Sequence, residues 1–133
     1  MILIDTHVLV WMLADPERVG AAARDVIDAA RAADALVVSG IVFWEIATLA
    51  SKGRITIQAP VSRLRRQLLD EGLIEIPVTG DIGIEAVSLT DLHGDPADRM
   101  IVATARSHGA RLVTADRKLL RWPGSVSRLD ATL

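Results

Sequence analysis

Short apolar runs alternate along the chain with stretches whose apolar positions recur every three or four residues. The short runs predict buried strands at residues 1–5, 36–38, 73–76 and 111–114, with a weaker candidate for a last strand at 126–129. Helical spacing predicts helices over residues 7–14, 17–33, 40–51, 60–71, 80–89, 97–108 and 116–121. This alternation indicates an α/β fold in which a mainly parallel central sheet carries helices on both faces.

The length and composition are typical of one compact domain, which we expect to span residues 1–133. Half of the 133 residues are hydrophobic, so an intrinsically disordered chain is excluded. The chain has no cysteine, which excludes disulfides and thiolate metal sites. No apolar run approaches the ~20 residues of a membrane span, and the start does not resemble a signal peptide. We therefore expect a soluble, cytoplasmic protein.

The formal net charge of −2 excludes a strongly basic protein that binds nucleic acid by charge alone. Arginine nevertheless supplies 13 of the 15 basic residues. Two groups stand out, one at Arg63, Arg65 and Arg66 and one at Arg111, Arg117 and Arg121. Arginine suits bidentate phosphate contacts, but a solvated helix face would have the same composition. Both interpretations remain open.

Four acidic residues occupy conspicuous positions, since an ionised carboxylate away from water must be paired, hydrogen-bonded or bound to a metal. Asp5 follows the first apolar run, and Asp98 and Asp116 lie at helix starts. Each of these three has a structural alternative. Asp5 and Asp116 could cap the helices that follow them, and Asp98 could belong to a cap formed with Asp95.

Capping does not explain the fourth acid, Glu45, which lies within an apolar helical stretch and beyond its first turn. A salt bridge to an arginine is the structural alternative. A hard divalent cation such as Mg²⁺ or Mn²⁺ is the functional one, because these ions prefer carboxylate oxygens. Asp5 and Asp116 each follow a predicted parallel strand, and ligands of such sheets bind beyond the carboxyl ends of the strands. These two acids are therefore predicted to share one edge of the sheet.

Other residues give weaker signals. Thr6 and Thr114 could orient carboxylates, although hydroxyl residues at strand ends are common. His93 could touch a phosphate of the substrate, but it is predicted to be a loop residue without a role, and no histidine is well placed to act as a general base.

The sequence also predicts which tryptophans are buried and whether the first helix has an apolar contact surface. Trp11 and Trp44 lie in apolar runs and are predicted to be core, whereas Trp122 precedes a Pro-Gly pair and is predicted to be exposed. The first helix is more apolar than one short helix needs, which would suit a contact with a partner protein or a second copy, although the same residues could simply be core. Its apolar residues are Val8, Leu9, Trp11, Met12 and Leu13.

With these residues in view, the chain resembles the PIN-domain ribonucleases, and within them the VapC toxins of type II toxin–antitoxin modules. The resemblance extends from Met1 to about Leu120 and contains all four acidic blocks in order. It is carried by residues 4–7 (IDTH), 43–47 (FWEIA), 93–100 (HGDPADRM) and 112–116 (LVTAD).

The resemblance implies a three-layer α/β/α sandwich and an endoribonuclease that depends on Mg²⁺ or Mn²⁺. It also implies a VapB-like antitoxin as partner, RNA as substrate and a homodimer. The matching positions would make Asp5, Glu45, Asp98 and Asp116 the catalytic, metal-binding quartet. Secondary candidates are Thr114 and Thr6 beside the metal, Asp95 in the extended motif, and Arg99 as a contact to a flanking phosphate.

Two alternatives compete with this interpretation. An aspartyl-phosphate phosphatase could use Asp5 as nucleophile, but His7 stands where the haloacid dehalogenase type has a second acid. A non-catalytic binding module would use the acids only as caps and salt-bridge partners. That module should bind no divalent cation tightly. P-loop and dinucleotide-binding folds are excluded because their glycine motifs are missing.

Overall fold

Five parallel strands form the centre of the computed structural model, which describes residues 1–133. Their order across the sheet is β3-β2-β1-β4-β5, and all four neighbouring pairs are parallel. The strands are β1 (Ile2–Ile4), β2 (Leu36–Ser39), β3 (Ile74–Ile76), β4 (Arg111–Thr114) and β5 (Arg128–Asp130). The predicted last strand therefore exists, although it begins two residues later than expected.

Seven α-helices connect and cover these strands. They are α1 (Thr6–Ala14), α2 (Ala21–Ala32), α3 (Ile41–Ser51), α4 (Val61–Asp70), α5 (Gly80–Ser88), α6 (Pro96–Ser107) and α7 (Arg117–Arg121). The helix predicted over 17–33 is shorter than expected. Pro16–Arg18 forms a separate 3₁₀ turn, and Gly20 in an extended conformation starts α2 after it.

The strand order explains the predicted layers. The connections from β1 to β2 and from β2 to β3 step in one direction across the sheet, whereas the connection from β3 to β4 returns past β1. Because parallel crossovers are right-handed, steps in opposite directions place their helices on opposite faces. The α/β/α sandwich is thus confirmed. The direction of chain progress reverses between β1 and β4, so a crevice opens at the carboxyl ends of these two strands.

The hydrophobic core is built around the central strands and α6. Leu3, Ile4 and the four residues of β2 are almost fully buried, as continuous apolar strands in a covered parallel sheet should be. The buried face of α6 carries Ile101 and Val102 against the same core. No helix combines the length and the apolar character that crossing a bilayer requires.

Charged pairs lie at both edges of the sheet. Arg65 donates two hydrogen bonds to Glu75 on β3, at 2.8 and 2.6 Å, and Arg117 lies 2.8 Å from Asp130 on β5. The hydrogen bonds from Arg65 lower the pKa of Glu75. The pKa of Asp130 is also lowered, mainly by hydrogen bonds from Thr132 and to a smaller extent by Arg117. One member of each arginine group therefore has a partner inside the protein. Charge on an edge strand also discourages pairing with other chains.

The prediction that Trp44 is a core residue was wrong. Its side chain is 58% exposed. Helix α3 turns Val42, Phe43 and Ile46 towards the core, and position 44 lies outside that sector of the helix. An apolar run in the sequence does not reveal which of its members faces solvent.

The opposite prediction for Trp122 was also wrong, because this residue is only 4% exposed. Its indole Nε1 donates to the Thr90 carbonyl at 2.8 Å, so the polar atom is satisfied within the protein. The ring lies against Gly124, where a Cβ atom would approach it to about 2.0 Å. The Pro-Gly pair therefore permits the ring to pack and does not expose it.

The packing of α6 predicts the effect of truncating its buried face. Ile101→Ala should lower the free energy of unfolding by about 2–5 kcal/mol, because Ile101 is fully buried and its removal leaves a cavity. Ile84→Ala is the matched control, since Ile84 is 72% exposed and the same change there should stay within about 0.5 kcal/mol. Urea titrations of both variants measure the difference. Equal losses would contradict this assignment of the core.

Candidate metal centre

The four acids converge at the crevice between the carboxyl ends of β1 and β4. Asp5 directly follows β1, and Asp116 lies two residues beyond Thr114, the last residue of β4. Glu45 reaches the same place from α3, and Asp98 does so from the first turn of α6. The sheet edge predicted from the strand pattern is therefore where these residues meet.

Two overlapping groups of side chains are close enough to share a cation. Ligand atoms of Asp5, Glu45 and Asp98 all lie within 4.8 Å of one another, and so do those of His93, Asp98 and Asp116. Asp98 is the residue common to both groups. Asp98 therefore joins the two groups, and Asp5 is the most buried acid of the site, only 3% exposed.

Two buried threonines hold the carboxylates in place. Thr114 Oγ1 donates to Asp5 Oδ2 at 2.6 Å, and the Thr6 backbone N–H donates to Asp5 Oδ1 at 2.6 Å. The Thr6 hydroxyl donates in turn to Glu45 Oε1. Thr114 Oγ1 also accepts from the Asp116 backbone N–H at 3.1 Å. Both threonines, predicted as weak candidates, thus orient acids of the site.

The prediction that aspartates cap helices is also confirmed, and it is compatible with their place at the acidic site. Asp5 caps α1, and Asp116 Oδ1 caps α7 by accepting from the Lys118 N–H at 2.8 Å. Asp95 caps α6 by accepting from the Asp98 N–H at 3.1 Å. Asp95 is exposed and belongs to neither group of close ligand atoms. Its place in the structure is to fix the helix turn that carries Asp98.

Glu45 has no arginine partner, which removes the salt-bridge alternative for this residue. The four ion pairs of the structure join other residues, and Glu45 bonds only to the Thr6 hydroxyl. Two of the three acids in the inner group, Glu45 and Asp98, are partly buried. No lysine or arginine forms an ion pair with Asp5, Glu45 or Asp98.

Burial is the largest cause of the raised pKa of all three acids in this inner group, and nearby carboxylates raise it further. Burial is the largest cause for the raised pKa of Asp5, and hydrogen bonds from Thr114 and Thr6 oppose it. Burial also raises the pKa of Glu45 to about 7 and that of Asp98 to about 6, with neighbouring carboxylates adding to both. Holding three negative charges here is costly, and a divalent cation would remove the cost.

His93 is a member of the site that the sequence prediction missed. Its Nε2 lies 2.7 Å from Asp98 Oδ2, although it was predicted to have no role. The sequence held a weak signal, since His93 is five residues before Asp98 and just ahead of the Asp95 cap. Only the path of the loop between α5 and α6 brings the ring back to the carboxylate.

The structure corrects the expectation that Arg99 holds a phosphate of the substrate. A guanidinium has five N–H donors, and all five of them are bonded to backbone carbonyls at 2.6 to 3.2 Å. The acceptors are Ala86, Val87, Leu89, Leu92 and His93. Arg99 therefore ties the end of α5 and the loop after it to α6, and has no donor left for RNA.

The donor set fits a hard divalent cation. The inner group offers carboxylate oxygens only, which are the ligands that Mg²⁺ and Mn²⁺ prefer. Asp5, Glu45 and Asp98 would hold such an ion, and Asp98 with Asp116 would offer a second place beside it.

Known proteins share the sequence pattern and the fold of this chain. The sequence pattern of the PIN domain matches residues 2–124. The chain belongs to the PIN-domain family. Within it, Ribonuclease VapC22 of Mycobacterium tuberculosis (strain ATCC 25618 / H37Rv) is 42% identical over 119 residues, which are 89% of this chain and 88% of that protein.

Two solved structures of toxin–antitoxin proteins named VapBC show the same fold. A chain of VapBC2 from Rickettsia felis, bound to a promoter DNA fragment, superposes with a TM-score of 0.71 and 17% identity. The match covers 98% of this chain and 100% of that one. DNA-bound VapBC from Salmonella typhimurium gives a TM-score of 0.70 and 19% identity over 98% of both chains. At these identities the likeness establishes the fold alone.

The raised pKa values of this PIN domain predict how its stability depends on pH without metal. The folded state binds the protons of Glu45 and Asp98 more tightly than the unfolded state, in which their pKa values are 4.5 and 3.8. Their stabilising contribution is therefore complete below about pH 4 and is lost as pH rises through about 6 and 7. We expect a loss of about 1–2 kcal/mol by pH 8, allowing for solvent screening of these partly exposed groups.

Urea titrations in EDTA between pH 4.5 and 8 measure this loss, and Mn²⁺ at pH 8 should reverse it. Glu45→Gln should flatten the pH dependence. Glu75→Gln is the control, because the pKa of Glu75 is lowered and cannot produce a loss with rising pH. A metal-free protein equally stable at both ends of this range would contradict the prediction.

The hydrogen bonds of Arg99 predict a structural effect for its replacement. Arg99→Lys should lower the free energy of unfolding by about 2–3 kcal/mol, because one ammonium cannot reach five carbonyls and leaves partly buried acceptors unpaired. Arg66→Lys on the exposed side of α4 is the matched control and should have little effect. Thermal and urea unfolding compare the two variants. Equal stability in both would show that the five bonds contribute nothing net.

Proposed function

We propose that this protein is an endoribonuclease toxin of a VapBC-type toxin–antitoxin module, which hydrolyses RNA phosphodiester bonds with the help of Mg²⁺ or Mn²⁺. The observation that carries the proposal is the meeting of Asp5, Glu45 and Asp98 within 4.8 Å at the switch point of the sheet. Its support is the 42% identity to Ribonuclease VapC22. We further propose that residues 1–133 form one PIN domain that acts in the cytoplasm.

The four acids would have different roles, which follow from their positions and hydrogen bonds. Asp5, Glu45 and Asp98 bind the cation, which when bound supplies positive charge and Lewis acidity to the scissile phosphate. Asp5 is the most rigid of the three, since both of its oxygens accept hydrogen bonds from the buried Thr6 and Thr114. Asp116 shares the second group of ligand atoms with Asp98 and His93, and it helps to orient the attacking water.

The electrostatics require the cation for substrate binding as well as for chemistry. Without it, the site presents acidic side chains to a phosphodiester that is itself negative. Arg99, which directly follows Asp98 in the chain, has no free donor to offset that charge. An occupied site removes the repulsion, so RNA affinity should depend on divalent ions. The sharing of Asp98 by two ligand groups is compatible with two ions, one for the attacking and one for the leaving oxygen.

A VapB-like antitoxin and a homodimer belong to the same proposal. Only part of the apolar surface of α1 is used within the protein. Val8 and Leu9 are buried, whereas Leu13 is 46% exposed. Leu13 also borders a cavity of about 540 Å³, lined by apolar side chains that include Val10, Ile46 and Ile57. This accessible part of α1 and the cavity beside it would suit the antitoxin.

A cleavage assay tests the proposed reaction. Purified protein should cut an RNA pool in Mn²⁺ but not in EDTA, and the folded Asp98→Asn variant should lose at least about 100-fold in rate, as expected when a metal ligand is removed. Asp70→Asn on the exposed surface of α4 is the matched control and should cut like the wild type. Direct attack by water predicts products with a 5′ phosphate and a 3′ hydroxyl.

The possible outcomes separate the competing functions. Cleavage that persists in EDTA or in Asp98→Asn would place the activity outside this site. Absence of cleavage together with absence of Mn²⁺ binding in calorimetry would favour the non-catalytic binding module.

A further inference from the structure

We propose that His93 is a positioning residue of the metal centre, which fixes the Asp98 carboxylate from a loop built to hold it. The inference rests on the proposed function of the site. It adds to the acidic quartet a fifth side chain, supported by a network outside the quartet.

The contact between the two side chains defines the role. His93 Nε2 lies 2.7 Å from Asp98 Oδ2, and the two side chains are only 22% and 14% exposed. An ionised carboxylate can only accept hydrogen bonds, so the ring nitrogen must be the donor when Asp98 is charged. One Asp98 oxygen is then held and the other is left for a cation. The orientation of Asp98 matters more than that of its neighbours, because Asp98 belongs to both groups of close ligand atoms.

The backbone that carries Asp98 is fixed separately. Asp98 lies in the first turn of α6, and its N–H donates to Asp95 Oδ1 at 3.1 Å. That cap determines where the Cα atom lies but leaves the side-chain torsions of Asp98 free. His93 supplies the missing constraint. Together the two contacts fix both the main chain and the carboxylate of one residue.

The loop between α5 and α6 is held at several points along its length. Arg99 donates to the Leu92 and His93 carbonyls at 2.8 and 3.1 Å, and Trp122 Nε1 donates to the Thr90 carbonyl at 2.8 Å. Leu92 is also buried, 9% exposed. Asp91 adopts a left-handed conformation with φ of 61°, which is uncommon for a residue other than glycine. A surface loop with so many anchors is unlike an ordinary connection.

The unpaired carbonyls at the end of α5 do not account for all of the hydrogen bonds that Arg99 donates. The orphan carbonyls of a helix end are those of its last turn, and Arg99 satisfies two of them at Ala86 and Val87. Leu92 and His93 lie beyond that turn, yet Arg99 also donates hydrogen bonds to their backbone carbonyls. The bonds at these positions fix the backbone of His93 itself. The network therefore extends to the residue that contacts Asp98.

Two substitutions at His93 separate positioning from a purely structural role and from direct metal binding. His93→Ala removes the donor, whereas His93→Gln keeps an N–H donor but is a poor metal ligand. We expect His93→Ala to weaken Mn²⁺ binding about 10–100-fold in calorimetry, as for other residues that orient metal ligands. The RNA cleavage rate should fall through kcat with KM little changed. His93→Gln should recover most of both quantities.

Each outcome has one meaning. If the wild type binds no Mn²⁺ and cuts no RNA, the proposed function fails before His93 is tested. If the wild type does both and His93→Ala matches it, the positioning role is overturned. If His93→Gln is as impaired as His93→Ala, His93 binds the metal directly and the inference is wrong in that respect. Circular dichroism and thermal unfolding confirm that each variant is folded.

A remote substitution tests the loop without touching the site. Trp122→Phe keeps an aromatic ring in the core but removes the N–H that holds the Thr90 carbonyl. We expect a loss of about 2–5-fold in Mn²⁺ affinity, smaller than that of His93→Ala because the Arg99 bonds remain. Trp11→Phe on α1 is the matched control and should leave affinity unchanged. Equal affinities in the two variants would overturn the proposed anchoring of the loop.

Discussion

The carboxylate of Asp5, buried at the end of the central strand, is the constraint on which the rest of the site depends. It is 3% exposed and lies between the helix that follows β1 and the end of β4. Both of its oxygens are hydrogen-bonded, one to the Thr6 N–H and one to the Thr114 hydroxyl. These bonds reduce the cost of burying the charge but do not remove it, since the pKa stays raised. A permanent cost at the centre of a fold is characteristic of a functional site.

Helix capping and metal binding are not competing explanations of the aspartates, because the same positions can serve both. Asp5, Asp95 and Asp116 each cap a helix, and the helix starts lie where the parallel strands end. The doubly wound sheet therefore gathers acids that have local reasons to be there. Glu45 is the exception. It stabilises no helix end and no ion pair, so the site is the one explanation of its position that the structure leaves.

Much of this could be predicted because it depends on local patterns. Apolar runs and helical spacing locate the strands and helices, and Glu45 stands out by conflicting with the helix around it. The missed features depend on contacts between segments distant in sequence. Trp122 meets Thr90, 32 residues earlier, and the Arg99 bonds depend on the fold of a loop that no periodicity describes. The exposure of Trp44 was missed for a related reason, because an entirely apolar stretch does not mark its outer face.

The pairing of β4 beside β1 has a consequence for protein synthesis. The bond from Thr114 to Asp5 spans 109 residues, and Asp116 follows still later in the chain. A chain emerging from the ribosome thus carries Asp5, Glu45 and Asp98 before the strand that aligns them exists. Pairing of β4 with β1 is a long-range event, and it aligns the acidic edge only after residues 111–114 have been made. On a nascent chain, an RNA-cleaving protein of this design cannot assemble its acidic site until the codons for β4 and Asp116 have been read.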